Sequence, residues 1–214
     1  VFSLPSGPCG PVCGGWVAGG PGMMPVEGGV LTGHQEPRLC SGLLDGPSHV
    51  ESIVAFAELL GEELMPWQRL VLEDATRHLP DGKLRRRQVG LLLPRQQGKT
   101  FTARLRILWG MFVLGEDWVG MAQNRRLALD QLNAAAELAK MVPDLAGRIV
   151  KHRQSNGDEA LVVKAETGRL ASWRIAAATQ EGPRGLTGIL WIASPALTSG
   201  FAICISTACA STRA

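Results

Sequence analysis

The sequence lacks the features of a membrane or secreted protein. No apolar run reaches the roughly 18 residues needed to cross a bilayer. The first residues have neither the basic start nor the compact apolar segment of a signal peptide. We therefore expect a cytoplasmic protein without a membrane partner.

The sequence also lacks the spacing of a zinc site. Its five cysteines are Cys9, Cys13, Cys40, Cys204 and Cys209. No second Cys/His pair follows Cys9 and Cys13 at zinc-site spacing, and His34 is isolated. Free thiols in a reducing compartment are the simpler interpretation.

Charge is scarce at both ends of the chain. Residues 1–50 hold 12 of the 26 glycines and 7 of the 13 prolines but one basic residue, Arg38, and no acidic residue follows position 181. This composition predicts a disordered segment over residues 1–47, a folded domain over 48–192 and an unstructured tail over 193–214.

Between residues 48 and 192, apolar spacing predicts alternating helices and strands. Helices are predicted over residues 48–60, 66–78, 99–114 and 124–142, the first capped by Ser48 and Glu51. Strands are predicted over residues 84–93, 118–123, 148–153, 160–166, 169–178 and 188–192. This order indicates an α/β fold with a mostly parallel sheet flanked by helices and extended by hairpins.

Residues 91–100, LLLPRQQGKT, have the pattern of a phosphate-binding P-loop between a strand and a helix. Gly98 lets the backbone approach a phosphate, Lys99 supplies charge and Thr100 supplies a hydroxyl for Mg²⁺. The usual first glycine is absent, because Leu93 occupies its position. The alternative is an ordinary strand-to-helix turn with an exposed lysine.

Three further side chains belong to this loop. Gln96 and Gln97 are candidate nucleotide-binding residues, and Arg95 is a candidate catalytic cation beside Lys99. Arg95 is equally compatible with a solvated position. The fold class predicted by the loop is that of the P-loop NTPases.

The stretch LMPWQ provides a candidate base-binding site about 30 residues before the loop. The Gln68 amide presents a donor and an acceptor together, as adenine requires. Trp67 is a candidate wall of that pocket. Alternatively, Trp67 is a core residue and Gln68 an exposed one.

The sequence contains, in this order, the stretches PWQ, PRQQGKT, GMAQNRRLALDQL and GPRGLTG, the last followed by ILWI. These stretches and their order resemble the N-terminal ATPase part of bacteriophage terminase large subunits. In that family the loop commonly lacks its first glycine, which accounts for Leu93. The resemblance spans residues 36–192 and implies ATP and Mg²⁺ as cofactors. It also implies double-stranded DNA, a small terminase subunit and a portal as partners, in a host bacterial cell.

The acidic residues that such an ATPase needs are missing. The resemblance predicts Asp-Glu after ILWI, to order Mg²⁺ and activate water, but Ala193 and Ser194 stand there. Glu116 and Asp117 follow another apolar run, where we expect a turn. We therefore expect a truncated domain without a nuclease part, weak ATP binding and hydrolysis near background.

Two other functions remain open on the sequence alone. One is another P-loop DNA translocase, such as a helicase-like ATPase. The other is a non-catalytic prophage remnant or interaction fragment. The atypical composition of both ends indicates either a changed reading frame at each end or a degraded prophage gene product.

Basic residues form three clusters, at Arg85–Arg87, at Arg104 and Arg106, and at Arg125 and Arg126. Each cluster fits a solvated surface. Arg125 and Arg126 begin the helix after the second strand, so they are the best candidates for DNA contact.

Overall fold

A computed structural model describes residues 37, 40–93, 97–122, 125–154 and 159–176 with side chains, and the backbone of residues 2–3, 188–193 and 201–207. The helices are α1 Val50–Leu59, α2 Pro66–Ala75, α3 Lys99–Trp109, α4 Arg125–Lys140 and α5 Pro143–Gly147. The strands are β1 Phe2–Ser3, β2 Gln88–Leu93, β3 Trp118–Ala122, β4 Ile149–Arg153, β5 Ala160–Lys164, β6 Leu170–Ile175, β7 Gly188–Ala193 and β8 Phe201–Thr207. Every helix and strand predicted between residues 48 and 192 is present, with shifted bounds.

The helix boundaries agree with some of the local sequence signals and not with others. The predicted capping box at Ser48 is wrong, because His49 is the N-cap of α1 and Glu51 forms an ion pair with Arg69 of α2. Helix α2 begins at Pro66 as predicted, and the Met65 N–H donates to the Gln68 side chain at 2.9 Å. Helix boundaries therefore depend on tertiary contacts as well as on cap residues.

Helix α3 continues as a π-helical turn, Gly110–Leu114, and ends at Gly115, whose φ of 74° is left-handed. Glycine adopts this conformation without the steric cost that a Cβ imposes. The turn carries the chain around to β3. The Glu116 N–H donates to the Gly110 carbonyl at 3.0 Å and closes the turn.

The strands form one eight-stranded sheet in the order β1-β2-β8-β7-β3-β6-β5-β4. Strand β3 pairs in parallel with both β6 and β7, and β1 in parallel with β2. Strand β8 is antiparallel to both of its neighbours, β2 and β7. Strands β2, β7, β3 and β6 therefore run in one direction, and their carboxyl ends share one edge of the sheet.

The expectation of a mostly parallel sheet is wrong for the described strands. Four of the seven pairings are antiparallel, since β4, β5 and β6 also form antiparallel pairs. The fold is a mixed α/β sheet. Strand β8 lies within the tail for which the sequence predicted no structure, and it occupies the position between β2 and β7.

The main core lies between the described helices and one face of the sheet. Each of the five helices contributes to a single buried cluster, which also contains Trp118, Leu161, Val163, Ala171 and Trp173 from the strands. Strand β2 alternates, with Leu91 and Leu93 buried and Leu92 40% exposed. The apolar run that ends β2 is thus buried on one face only.

Candidate nucleotide-binding site

The predicted loop connects the carboxyl end of β2 to the first turn of α3. Gly98 is the N-cap of α3 and has a φ of 79°, in the left-handed region that favours glycine. A Cβ at this position would also lie 3.0 Å from Gln68 Nε2. The backbone conformation therefore favours glycine here, and a larger residue would also have to displace the Gln68 amide.

Lys99 is the first residue of α3 and is 5% exposed. Its ammonium donates to the Leu93 carbonyl at 3.0 Å, which lowers the cost of burying the charge. The first N–H groups of a helix have no intrahelical acceptor and attract anions. Because Lys99 is buried, the alternative of an exposed lysine is wrong.

Trp67 and Gln68 lie against the loop, at the first turn of α2. Both are buried, and Trp67 Cζ2 would lie 3.8 Å from a Cβ at Gly98. Gln68 Oε1 accepts the Met65 N–H, while its Nε2 faces Gly98. The structure thus brings the two sequence motifs together. Of the alternative interpretation, the exposed Gln68 is wrong, whereas Trp67 is a core residue that packs with Val71, Leu91 and Leu93.

The remaining loop residues are described in part. Gln97 is exposed, and Thr100 is half-buried in the first turn of α3. Arg95 and Gln96 lie outside the described residues, as do Gln123 and Asn124 after β3 and residues 181–187 before β7. Their predicted roles stay predictions.

A small cavity of about 20 Å³ lies beneath the loop, between α2, α3 and β2. Lys99, Thr102 and Arg106 line it together with apolar side chains. A cavity of this size holds about one water molecule, whereas ligand pockets are usually several hundred Å³. This cavity is therefore too small to hold a nucleotide.

The position expected for the metal-binding acids lies at the same edge of the sheet as the loop. Leu93 at the end of β2 pairs with Phe201 of β8, and Ala193 at the end of β7 pairs with the next residue, Ala202. Two strand spacings put these ends about 10 Å apart. The topology suits a metal–phosphate site, but β7 ends in alanine.

Glu116 and Asp117 do not replace those acids, because they precede β3 at the opposite edge of the sheet. Glu116 makes two hydrogen bonds, at 2.7 and 3.0 Å, with the buried Arg106 guanidinium. Asp117 accepts the Ser172 N–H and hydroxyl at 2.9 and 2.8 Å and binds Arg169 at 2.8 Å. Their contacts are structural.

The arginines around α2 and α3 bind other parts of the protein. Arg85 donates to the Asp45 carbonyl, and Arg86 binds the buried Asp74 carboxylate at 2.8 Å. Arg104 donates to Gln131 of α4 at 2.9 Å, and burial lowers its pKa. Together with the pairing of Arg106 to Glu116, these contacts show that a solvated surface is the wrong interpretation for Arg86, Arg104 and Arg106. Arg85 is exposed, as that interpretation expects.

Arg125 and Arg126 begin α4 at the carboxyl edge of the sheet, where both are exposed. Arg125 binds the carboxylate of Glu159, which is 3% exposed and precedes β5. Glu159 could not be predicted from the sequence, since nothing local marks a glutamate as buried. Arg125 is therefore held at the edge by an internal partner.

Among the described residues, no group of three or more His, Cys, Asp or Glu side chains is arranged to bind a metal ion. Within the same part of the chain, no helix is long and apolar enough to cross a membrane. Cys40 is an exposed free thiol.

Comparison with known proteins yields one partial likeness. No protein-family model and no curated protein matches the sequence. The chain is similar to the crystal structure of the HK97 bacteriophage large terminase, with 19% sequence identity and a TM-score of 0.46. The likeness covers 66% of this chain and 30% of the terminase chain, so this chain spans less than a third of that protein's length.

Proposed function

We propose that this chain is a nucleotide-binding α/β domain that binds ATP at the loop between β2 and α3. The observation that carries the proposal is the meeting of Gly98, Lys99 and Gln68 at one end of the sheet. A left-handed glycine, a buried cation and a helix N-terminus suit the phosphates. The neighbouring Trp67 and Gln68 suit a base.

Each residue has a defined part in this proposal. Lys99 would leave the Leu93 carbonyl to bind the terminal phosphates, and Thr100 would ligate Mg²⁺, which neutralises phosphate charge when bound. Gln68 Nε2 would donate to the base. Its Oε1, already bonded to Met65, keeps one lone pair for the amino group of adenine.

We further propose that the domain is of the terminase large-subunit type, an interpretation that rests on the order of its sequence motifs. In such a protein, hydrolysis would drive translocation of double-stranded DNA, with a small terminase subunit and a portal as partners. For this chain we expect hydrolysis near background. The reason is that Ala193 and Ser194 offer no carboxylate for Mg²⁺ or for the attacking water.

Titration with a fluorescent ATP analogue tests the nucleotide site. Lys99→Met keeps the buried aliphatic stem but removes the charge, and we expect at least about tenfold weaker binding, since charge-assisted hydrogen bonds contribute about 1.5–3 kcal/mol. Lys140→Met is the matched control, because Lys140 pairs with Glu137 on the surface of α4. Equal affinity of the wild type and Lys99→Met would show that the loop does not bind the phosphates.

A hydrolysis assay separates the functional alternatives. We expect no phosphate release above background with or without DNA, and a rate of about 1 s⁻¹ that Lys99→Met abolishes would refute the inactive assignment. Such a rate stimulated by single-stranded DNA would favour a helicase-like translocase. Stimulation by duplex DNA would favour a packaging motor.

A further inference from the structure

Strands β4, β5 and β6 present a second face, opposite the helices. Their helix-facing residues enter the core, as Leu161, Val163 and Trp173 do. Residues in register share a face, so Arg153, Ala160 and Arg174 form one row on the other face. Further rows on that face are Lys151, Val162 and Ser172, and then Lys164 and Leu170.

This second face, which we call the basic face, carries Lys151, Arg153, Lys164 and Arg174. Lys151, Lys164 and Arg174 are exposed, and Arg153 is half-buried. The three strands contain no Asp or Glu. Two strand spacings put Arg153 and Arg174 about 10 Å apart, and four residues of β5 put Lys164 about 13 Å from their row.

Two described acids near this face pair with arginines that lie outside it. Glu159 pairs with Arg125 at the start of α4, on the helix side. Asp117 lies at the amino edge of the face, where it accepts hydrogen bonds from Ser172 and pairs with Arg169. The basic face therefore carries three exposed cations, Lys151, Lys164 and Arg174, one on each strand, beside the half-buried Arg153.

We propose that the basic face binds the phosphate backbone of duplex DNA. Backbone contacts need cations at a spacing of several ångströms and no base-reading groups. Surfaces that bind single strands use aromatic side chains for stacking, whereas the uncharged residues here are Ala160, Val162, Leu170 and Ser172. The proposal deepens the proposed function, because it names the surface that would contact its DNA partner.

Fluorescence anisotropy with a labelled mixed-sequence duplex tests this proposal on the full chain. Three to four phosphate contacts should weaken binding about 100-fold between 50 and 200 mM salt. We expect the corresponding single strand to bind more weakly than the duplex. No duplex binding at 50 mM salt, or tighter binding of the single strand, would overturn the proposal.

A matched pair of double variants separates the basic face from net charge. Lys164→Gln/Arg174→Gln should lower the slope of log K against log salt by about 2 and weaken binding at least tenfold at 50 mM salt. Lys83→Gln/Lys140→Gln removes the same charge from exposed sites that pair with Asp81 and Glu137, and should bind within about twofold of the wild type. Equal losses in both variants would overturn the proposal.

The nucleotide titration distinguishes this proposal from the proposed function. If ATP-analogue binding fails while duplex binding depends on Lys164 and Arg174, the basic face stands and the nucleotide assignment falls. If Lys99→Met weakens nucleotide binding and the Lys164→Gln/Arg174→Gln variant binds duplex DNA as tightly as the wild type, the nucleotide site is supported and the basic face is refuted as a DNA-binding surface.

Discussion

Replacing Glu116 by glutamine should destabilise the protein more than the loss of any surface carboxylate. Glu116 and Arg106 form a bidentate ion pair whose side chains are 9% and 2% exposed. The Arg106 guanidinium also lies 5.1 Å from the Trp109 ring and 5.2 Å from the Trp118 ring. Glutamine preserves the shape of Glu116 but leaves the buried arginine charge uncompensated.

The expected loss follows from burial. Breaking one partner of a buried pair costs about 3–5 kcal/mol, whereas an exposed pair contributes about 0–1 kcal/mol. The two indole rings offset part of the loss, since a desolvated cation–π contact contributes about 2 kcal/mol. We expect Glu116→Gln to lose about 3 kcal/mol of unfolding free energy, and the control Glu137→Gln, in an exposed pair, to lose less than about 1 kcal/mol.

Urea unfolding monitored by tryptophan fluorescence measures both losses, because Trp109 and Trp118 contact the guanidinium. A double variant, Arg106→Met/Glu116→Met, removes both charges and should recover most of the stability, since apolar side chains can replace a buried pair. A loss below about 1 kcal/mol for Glu116→Gln, or a double variant that is less stable than the single one, would refute the reasoning.

Gly110→Ala should destabilise the protein, because the alanine Cβ would lie 2.0 Å from Glu116 Oε2 and 2.5 Å from Arg106 Nη1. This clash should outweigh the helix propensity of alanine, which exceeds that of glycine by about 1 kcal/mol. An unchanged or higher melting temperature of the variant would contradict this prediction. The pKa of His49 is lowered below 6.5, first by burial of the ring and then by the nearby positive charges of His78 and Arg106. The negative charge of Glu116 raises this pKa by a smaller amount. The folded state then binds fewer protons, so stability should fall as the pH drops below 6.5. His49→Gln should flatten that part of a melting-temperature profile, and an identical slope in the variant would exclude His49.

The order of helices and strands could be predicted because it depends on local patterns. The strand before the loop, the helix after Gly98 and the start of α2 at Pro66 each rest on spacing, caps or glycine within a few residues. The phosphate-binding pattern at Gly98 and Lys99 was visible for the same reason. These features need no knowledge of distant partners.

The partners of polar side chains could not be predicted, because each pairing joins distant parts of the chain. Arg106 and Arg104 resemble a solvated basic cluster in sequence, yet one is buried with Glu116 and the other binds Gln131. Glu159 carries no local signal of its contact with Arg125. Burial of a charge is decided by the tertiary environment.

The sequence by itself determined a strand–loop–helix with Gly98 and Lys99 in place, and it showed Ala193 where an acid would be needed for hydrolysis. Only the tertiary structure decided that Gln68 faces Gly98, that β8 enters the sheet between β2 and β7, and that four cations share one face of β4, β5 and β6. The physical reason is the distance along the chain over which each interaction acts. Propensity and capping act over a few residues, whereas strand order and the face that a side chain occupies depend on hydrogen bonds between residues far apart in the chain.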